Sequence, residues 1–214
     1  QRELLIQQAL QKQLDKNHPT VAGCLNNLAM LYKAQGRYAE AEPLYLRSLA
    51  IMEKAVGENH PDIALNLNNL AMLYYAQGRY GQAESLLQRG LKLNEKHLGE
   101  NHPDIATALN NLAMIYYAQG QYERVEPLNQ RSLAIQEKTL DENHPDLAVT
   151  LNNLAELYRT QGRYAEAEPL YQRCLTIREN SLGQNHPVMA ECLNNLAALY
   201  DAKADYDRAE PLYR

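Results

Sequence analysis

An all-α solenoid of stacked helix–turn–helix repeats is the fold this sequence predicts, and two observations predict it. Asn-His-Pro recurs five times at an interval of 42 residues, at 17–19, 59–61, 101–103, 143–145 and 185–187. Eight residues after each Asn comes Leu-Asn-Asn-Leu-Ala, at 25–29, 67–71, 109–113, 151–155 and 193–197. Self-similarity at a fixed period of this length marks units that bury their apolar faces only by stacking on neighbours.

Each repeat reads as two helices. Numbering from the Ala at 22, 64, 106, 148 and 190, positions 4, 7, 8 and 11 are Leu, Leu, Ala and Tyr in every copy, as in Leu25, Leu28, Ala29 and Tyr32. At about 100° per residue these fall on one helical face. His-Pro before this stripe supplies the start: Pro is tolerated at the first helical position, Asn or His can cap, and a following Asp suits the first turn. Gly36, Gly78, Gly120 and Gly162 end the first helix and permit a tight reversal. Ala204 stands there in the fifth repeat, which predicts a turn either looser or less dependent on Gly than the others. A second helix follows, as in Tyr38–Tyr45, with Pro43, Pro127, Pro169 and Pro211 placed near its start, where a missing donor costs least; Ser85 replaces Pro in the second repeat. It closes at Val56-Gly57 or Leu98-Gly99, before the next Asn-His-Pro.

The expected organisation is one solenoid over 1–214: a partial preceding repeat at 1–21, with Glu3–Leu14 as its second helix, repeats at 22–63, 64–105, 106–147 and 148–189, and a truncated repeat at 190–214. Gln1 is not a native start and the sequence stops within a repeat, so the chain reads as a piece of something longer. Leu193, Leu196 and Tyr200 are then expected to lack full cover, which invites end-to-end self-association.

Composition narrows function. A net charge of -5 argues against nucleic acid and anionic membrane surfaces, which call for a basic excess. No apolar run approaches the roughly 18 residues needed to cross a bilayer. Cys24, Cys174 and Cys192 are odd in number and lack CxxC spacing, which fits a reducing cytoplasm and thiols packed in or beside the core. One His per repeat sits at equivalent loops, so these side chains cannot converge on one metal ion and are expected to cap or pack. Strings such as Glu40-Ala41-Glu42 and Glu166-Ala167-Glu168 read as charges favoured at a helix start. No phosphate loop, GxSxG or HExxH is present, and neither a catalytic residue nor a cofactor is expected.

Small Ala at positions 8 and 20, as in Ala29 and Ala41, Tyr at 11 and the Gly-x-Tyr turn resemble the tetratricopeptide repeat. The 42-residue period, with LNNLA-x-LY and QGRY-x-EAEPLY, is similar to the kinesin-light-chain type. That resemblance implies a right-handed superhelical α-solenoid acting as a protein-interaction module. It also implies a groove that takes short peptides, including tryptophan-plus-acidic motifs read by basic residues and by the first Asn of each LNNLA.

The Asn pairs carry the site prediction. Positions 5 and 6 are Asn-Asn throughout: Asn26/Asn27, Asn68/Asn69, Asn110/Asn111, Asn152/Asn153 and Asn194/Asn195. Asn is about 0.6 kcal/mol worse than Ala in a helix, so two per repeat need a cause. A carboxamide donates and accepts, and can pair with a peptide's N–H and C=O together. Helices about 10 Å apart and an extended chain rising about 3.3 Å per residue would let each rung meet roughly every third peptide residue. The alternative is that one Asn of each pair bonds to the adjacent repeat and only stabilises stacking. Lys33, Tyr75, Tyr117 and Arg159 lie beside the pairs at position 12, where Asp201 completes the series. Two cations are few for an acidic partner, and the Met and Tyr content points to an apolar, adaptable groove centre. The expected partner is a protein or peptide segment. The alternative function is a sensor or scaffold arm of a larger regulatory NTPase-type protein, docking a neighbouring domain or self-associating.

Overall fold

Every described helix is one half of a repeat, and the sequence marks where each begins. The computed structural model describes residues 18–183 and 186–214. The helix expected at Glu3–Leu14 and the Asn residues of the first and last Asn-His-Pro, Asn17 and Asn185, lie outside the described residues. The order is α1 (Pro19–Ala34), α2 (Tyr38–Val56), a 3-10 turn (Pro61–Ile63), α3 (Ala64–Ala76), α4 (Tyr80–Leu98), α5 (Pro103–Ala118), α6 (Tyr122–Thr139), α7 (Pro145–Thr160), α8 (Tyr164–Leu182), α9 (Pro187–Ala202) and α10 (Tyr206–Tyr213). No strand occurs among the described residues. The array divides into two compact units, 1–100 and 101–214.

The capping residue is His. Nδ1 of His18, His60, His102, His144 and His186 accepts from the backbone N–H two residues on, at 3.2–3.3 Å, with Pro at the first helical position. One donor left unpaired at each helix start is thereby satisfied. The first helices end in the Schellman pattern: Arg37 N–H donates to Tyr32 O at 2.9 Å and Gly36 N–H to Lys33 O at 3.0 Å, with Gly36 at φ 72°. The fifth turn is not looser. Ala204 adopts φ 57°, and Asp205 N–H donates to Tyr200 O at 2.9 Å, so the same closure is made by a residue that bears a Cβ. Pro43, Pro127 and Pro169 lie at the sixth residue of their helices, beyond the donor-free first turn, so each forgoes a hydrogen bond. In the second repeat Ser85 Oγ instead donates to Gly81 O at 3.0 Å.

The predicted stripe is the core. Ala29, Ala71, Ala113, Ala155 and Ala197 are at most 1% exposed, and Ala41, Ala83 and Ala167 face them from the second helices with no exposure. Leu28, Tyr32 and Leu193 are half-buried. In the 101–214 unit, Leu154, Tyr158, Tyr171, Leu196, Tyr200 and Ala209 form one cluster. Leu196 and Tyr200 are therefore covered, contrary to the expectation of an open apolar end, because Ala209 on α10 already packs on them.

A polar column joins successive repeats. Position 27 of one repeat faces position 3 of the next: Asn66 Nδ2 donates to Ser48 Oγ at 2.6 Å, which donates to Ala22 O at 2.7 Å. At the corresponding place Cys174 and Cys192 bring their buried sulfurs to 3.9 Å. Ser132 Oγ donates to Ala106 O at 2.9 Å, and Thr150 Oγ1 donates to Gln136 Oε1 at 2.7 Å.

Candidate binding face

The first helices put Leu and Ala inward, which leaves positions 5, 6, 9 and 12 on the opposite face and its flank. The Asn pairs there are only partly exposed. Asn26 and Asn110 are buried, Asn68, Asn69, Asn111, Asn152, Asn153 and Asn195 are half-buried, and Asn27 and Asn194 are exposed. Two pairs of repeats are tied by a carboxamide bond: Asn69 Nδ2 donates to Asn26 Oδ1 at 3.0 Å, and Asn195 Nδ2 donates to Asn152 Oδ1 at 2.9 Å. The second Asn of one repeat thus holds the first Asn of the repeat before it. Asn68 and Asn111 are already engaged as well.

A single N–H···O bond uses one donor and one acceptor from a pair of carboxamides that together carry four donor hydrogens and two acceptor oxygens. Oδ1 of Asn69 and Asn195 and Nδ2 of Asn152 make no further hydrogen bond among the described residues. The tie between repeats and a capacity to bind are therefore compatible in the same residues.

The junction between the third and fourth repeats is different. Asn110 turns its Nδ2 to Thr150 Oγ1 at 2.6 Å and leaves its Oδ1 buried and unpaired. Asn153, which the pattern would bond to Asn110, makes no hydrogen bond among the described residues and lines a cavity of about 150 Å³ with Ala113, Met114, Tyr117, Val125, Asn129, Asn152 and Glu156.

Around the pairs, Tyr75 and Tyr117 pack their rings on Tyr80 and Tyr122 at 5.7 and 5.3 Å between centroids. Burial raises the pKa of both phenols. Tyr117 Oη donates to Glu156 Oε1 at 3.2 Å and lies 2.7 Å from Thr160 Oγ1. Arg159 grips Glu156 with two hydrogen bonds, at 3.0 and 2.5 Å, and Tyr171 Oη donates to Glu156 Oε2 at 2.8 Å. Burial pushes the Glu156 carboxyl up, but Arg159 and Tyr171 outweigh it and hold the group below the ordinary range. Arg159 is consequently neutralised within its own helix. Lys33 makes no ion pair among the described residues, and burial lowers its pKa. Met30 is 49% exposed, and Met72 and Met114 are half-buried.

Sequence reasoning missed a clamp between repeats. Arg79 Nη1 bonds Glu42 Oε2 at 2.8 Å, and its guanidinium lies 3.9 Å above the Tyr74 ring, whose hydroxyl donates to Glu42 Oε1 at 3.1 Å. Arg163, Tyr158 and Glu126 repeat the arrangement at 2.7, 3.9 and 2.8 Å. In the fifth repeat, which lacks Arg in the turn, Lys203 at 2.5 Å and Arg208 at 2.9 Å hold Glu168. Of the two Glu-Ala-Glu strings, Glu40 and Glu166 behave as simple first-turn charges, each bonded to the Arg three residues before it. No cluster of three or more His, Cys, Asp or Glu side chains fit for a metal ion occurs among the described residues, and no described helix is long and apolar enough to cross a membrane.

Comparison with known proteins places this architecture. The tetratricopeptide repeat model matches residues 20–96, 91–138, 104–180 and 146–214. None of the curated proteins matches the chain. Among solved structures, BtubC (BKLC) from P. vanneervenii aligns at 28% identity and a TM-score of 0.82, over 99% of this chain and 84% of that one. A Podosopora anserina protein described as a kinesin light chain with nearly identical TPR-like repeats aligns at 30% identity and a TM-score of 0.76, over 91% of this chain and 92% of that one. PilF of Pseudomonas aeruginosa shares the fold at 20% identity and a TM-score of 0.62. With the family model spanning most of its length, the chain belongs to the tetratricopeptide repeat family, in its kinesin-light-chain form.

Proposed function

We propose that this array, of a family that serves protein–protein interaction, takes an extended or partly helical peptide segment along the face of its first helices and holds it chiefly by its backbone. The supporting observation is that the Asn pairs keep unused donors and acceptors, both on the carboxamides bonded between repeats, Asn69, Asn152 and Asn195, which are half-buried, and on Asn27, Asn153 and Asn194. Partial burial strengthens such bonds, because water competes less for the amides. Met30, Tyr75 and Tyr117 supply adaptable apolar contact beside them. The Arg159–Glu156 pair offers no net charge, so an acidic segment has little to gain there.

Asn27, Asn153 and Asn194 make no hydrogen bond among the described residues, so replacing all three by Ala removes polar capacity while leaving every observed bond between repeats intact. A peptide-display selection run in parallel on the chain and on this variant is expected to enrich a motif strongly on the chain and at least tenfold less on the variant, with unchanged thermal melting. Equal enrichment on both would remove these residues from the site. Failure to enrich anything on the unaltered chain would defeat the peptide reading itself.

A further inference from the structure

Position 24 of the second helix is filled by Tyr45 in the first repeat and Tyr171 in the fourth, both at most 2% exposed, and by Leu87 in the second. In the third repeat it is Asn129, which is completely buried. The smaller side chain leaves the cavity of about 150 Å³ described above, and Asn129 forms part of its wall. Both polar atoms of Asn129, Oδ1 and Nδ2, lack any hydrogen-bond partner. A buried amide with both edges unmatched is rare in a folded protein and calls for an explanation. The same junction is where Asn153 fails to pair with Asn110 and faces the cavity instead.

We infer that this cavity is a specificity pocket for a neutral primary carboxamide, presented by a Gln or Asn side chain of the bound segment and paired edge to edge with Asn129. Its volume matches one small side-chain head, for a cavity of about 150 Å³ is known to take a benzene-sized guest. The choice among guests follows from donors and acceptors. A carboxamide offers an N–H and a C=O side by side, the complement of Asn129. A carboxylate has no donor and would approach Glu156. An ammonium or guanidinium has no acceptor for the Asn129 N–H groups, and Glu156 is already held by Arg159, Tyr117 and Tyr171. An aromatic ring would fill the space that Tyr171 fills in the next repeat, but at best a single hydroxyl on it meets Asn129, and it cannot match both edges side by side. Ala113, Met114 and Val125 supply apolar walls for the methylene stem.

That the amide arrives on a peptide rests on the groove reading above; the pocket's choice of an amide does not, and a free small molecule tests it. In the isotope-labelled full chain, the side-chain NH₂ resonances of Asn129 and Asn153 are followed by NMR while propionamide, propionate, propylammonium and p-cresol are titrated separately. Propionamide is expected to shift both resonances saturably, and the other three are not. The saturable response of Asn153 is expected to vanish in Asn129→Tyr. Asn129→Leu, which copies the second repeat, serves the same purpose if the Tyr variant does not fold. Saturation by p-cresol or by a charged probe in preference to propionamide would overturn the proposal. So would no saturation by any probe, which would mean that the cavity holds water alone. Enrichment of no peptide in the display selection alongside saturation by propionamide would retain this pocket and reject the groove reading.

Discussion

At the residue scale, single substitutions set the third and fifth repeats apart from their neighbours. Ala204 stands where the first four repeats have Gly and keeps the left-handed backbone at φ 57°. A Cβ in that region costs roughly 1–2 kcal/mol, partly offset because Gly is more mobile in the unfolded chain. Ala204→Gly is expected to stabilise the last helix pair by about 1 kcal/mol. Hydrogen exchange in α9 and α10 should slow about fivefold, and unchanged exchange would refute the strain. Asn129 shows what a reading by columns can miss. The first-helix columns were legible because their period places them on one face, whereas position 24 announces its role only once Tyr171 is seen inside the fold. The signal was present as an Asn in the series Tyr45, Leu87, Asn129, Tyr171, Tyr213. Ala204 was legible as an exception that made the turn either looser or less dependent on Gly, and the hydrogen bonds on either side, which hold the turn shut despite the Cβ, favour the second.

At the element scale, helix starts and ends followed from His-Pro and Gly-x-Tyr, since capping and reversal are local. Contacts between repeats were not legible, because a period says that repeats stack without saying which side chains meet. Glu42 and Glu168 therefore passed for helix-start charges, although each, like Glu126, reaches a cation of the next repeat. The clamp has a pH signature. Hydrogen bonding from Arg79, Arg163 and Lys203, respectively, holds these three carboxyls below the ordinary range, against burial. A depressed folded-state pKa contributes stability that is present above the unfolded value, near 4.3, and is lost as pH falls through the folded one. Stability should be nearly level from neutrality to about pH 5 and decline below about pH 4. Glu126→Gln should be less stable at neutral pH and lose less on acidification, as urea melts at several pH values would reveal. An identical acid decline in the variant would exclude Glu126 from the effect.

At the scale of the whole molecule, the 42-residue period was sufficient to establish a stack of helical repeats, and the motifs LNNLA-x-LY and QGRY-x-EAEPLY carried the resemblance to the family. The period could not locate the division into two compact units, because Glu100-Asn101-His102-Pro103 carries the same motif as the junctions inside each unit. The row of Asn pairs was legible, but not that the bonds between repeats leave donors and acceptors unused in the same residues. Asn26 and Asn152 accept bonds from the following repeat while amide capacity remains around them. The central claim is that this remaining capacity reads a peptide's backbone. An N-methyl scan of a selected peptide, with affinity measured for each singly methylated version, tests it most directly, because methylation removes one backbone donor and keeps every side chain. Helices about 10 Å apart and a rise of about 3.3 Å per residue predict losses of tenfold or more recurring at roughly every third position. Uniformly small losses, with affinity lost only when side chains are truncated, would contradict the account.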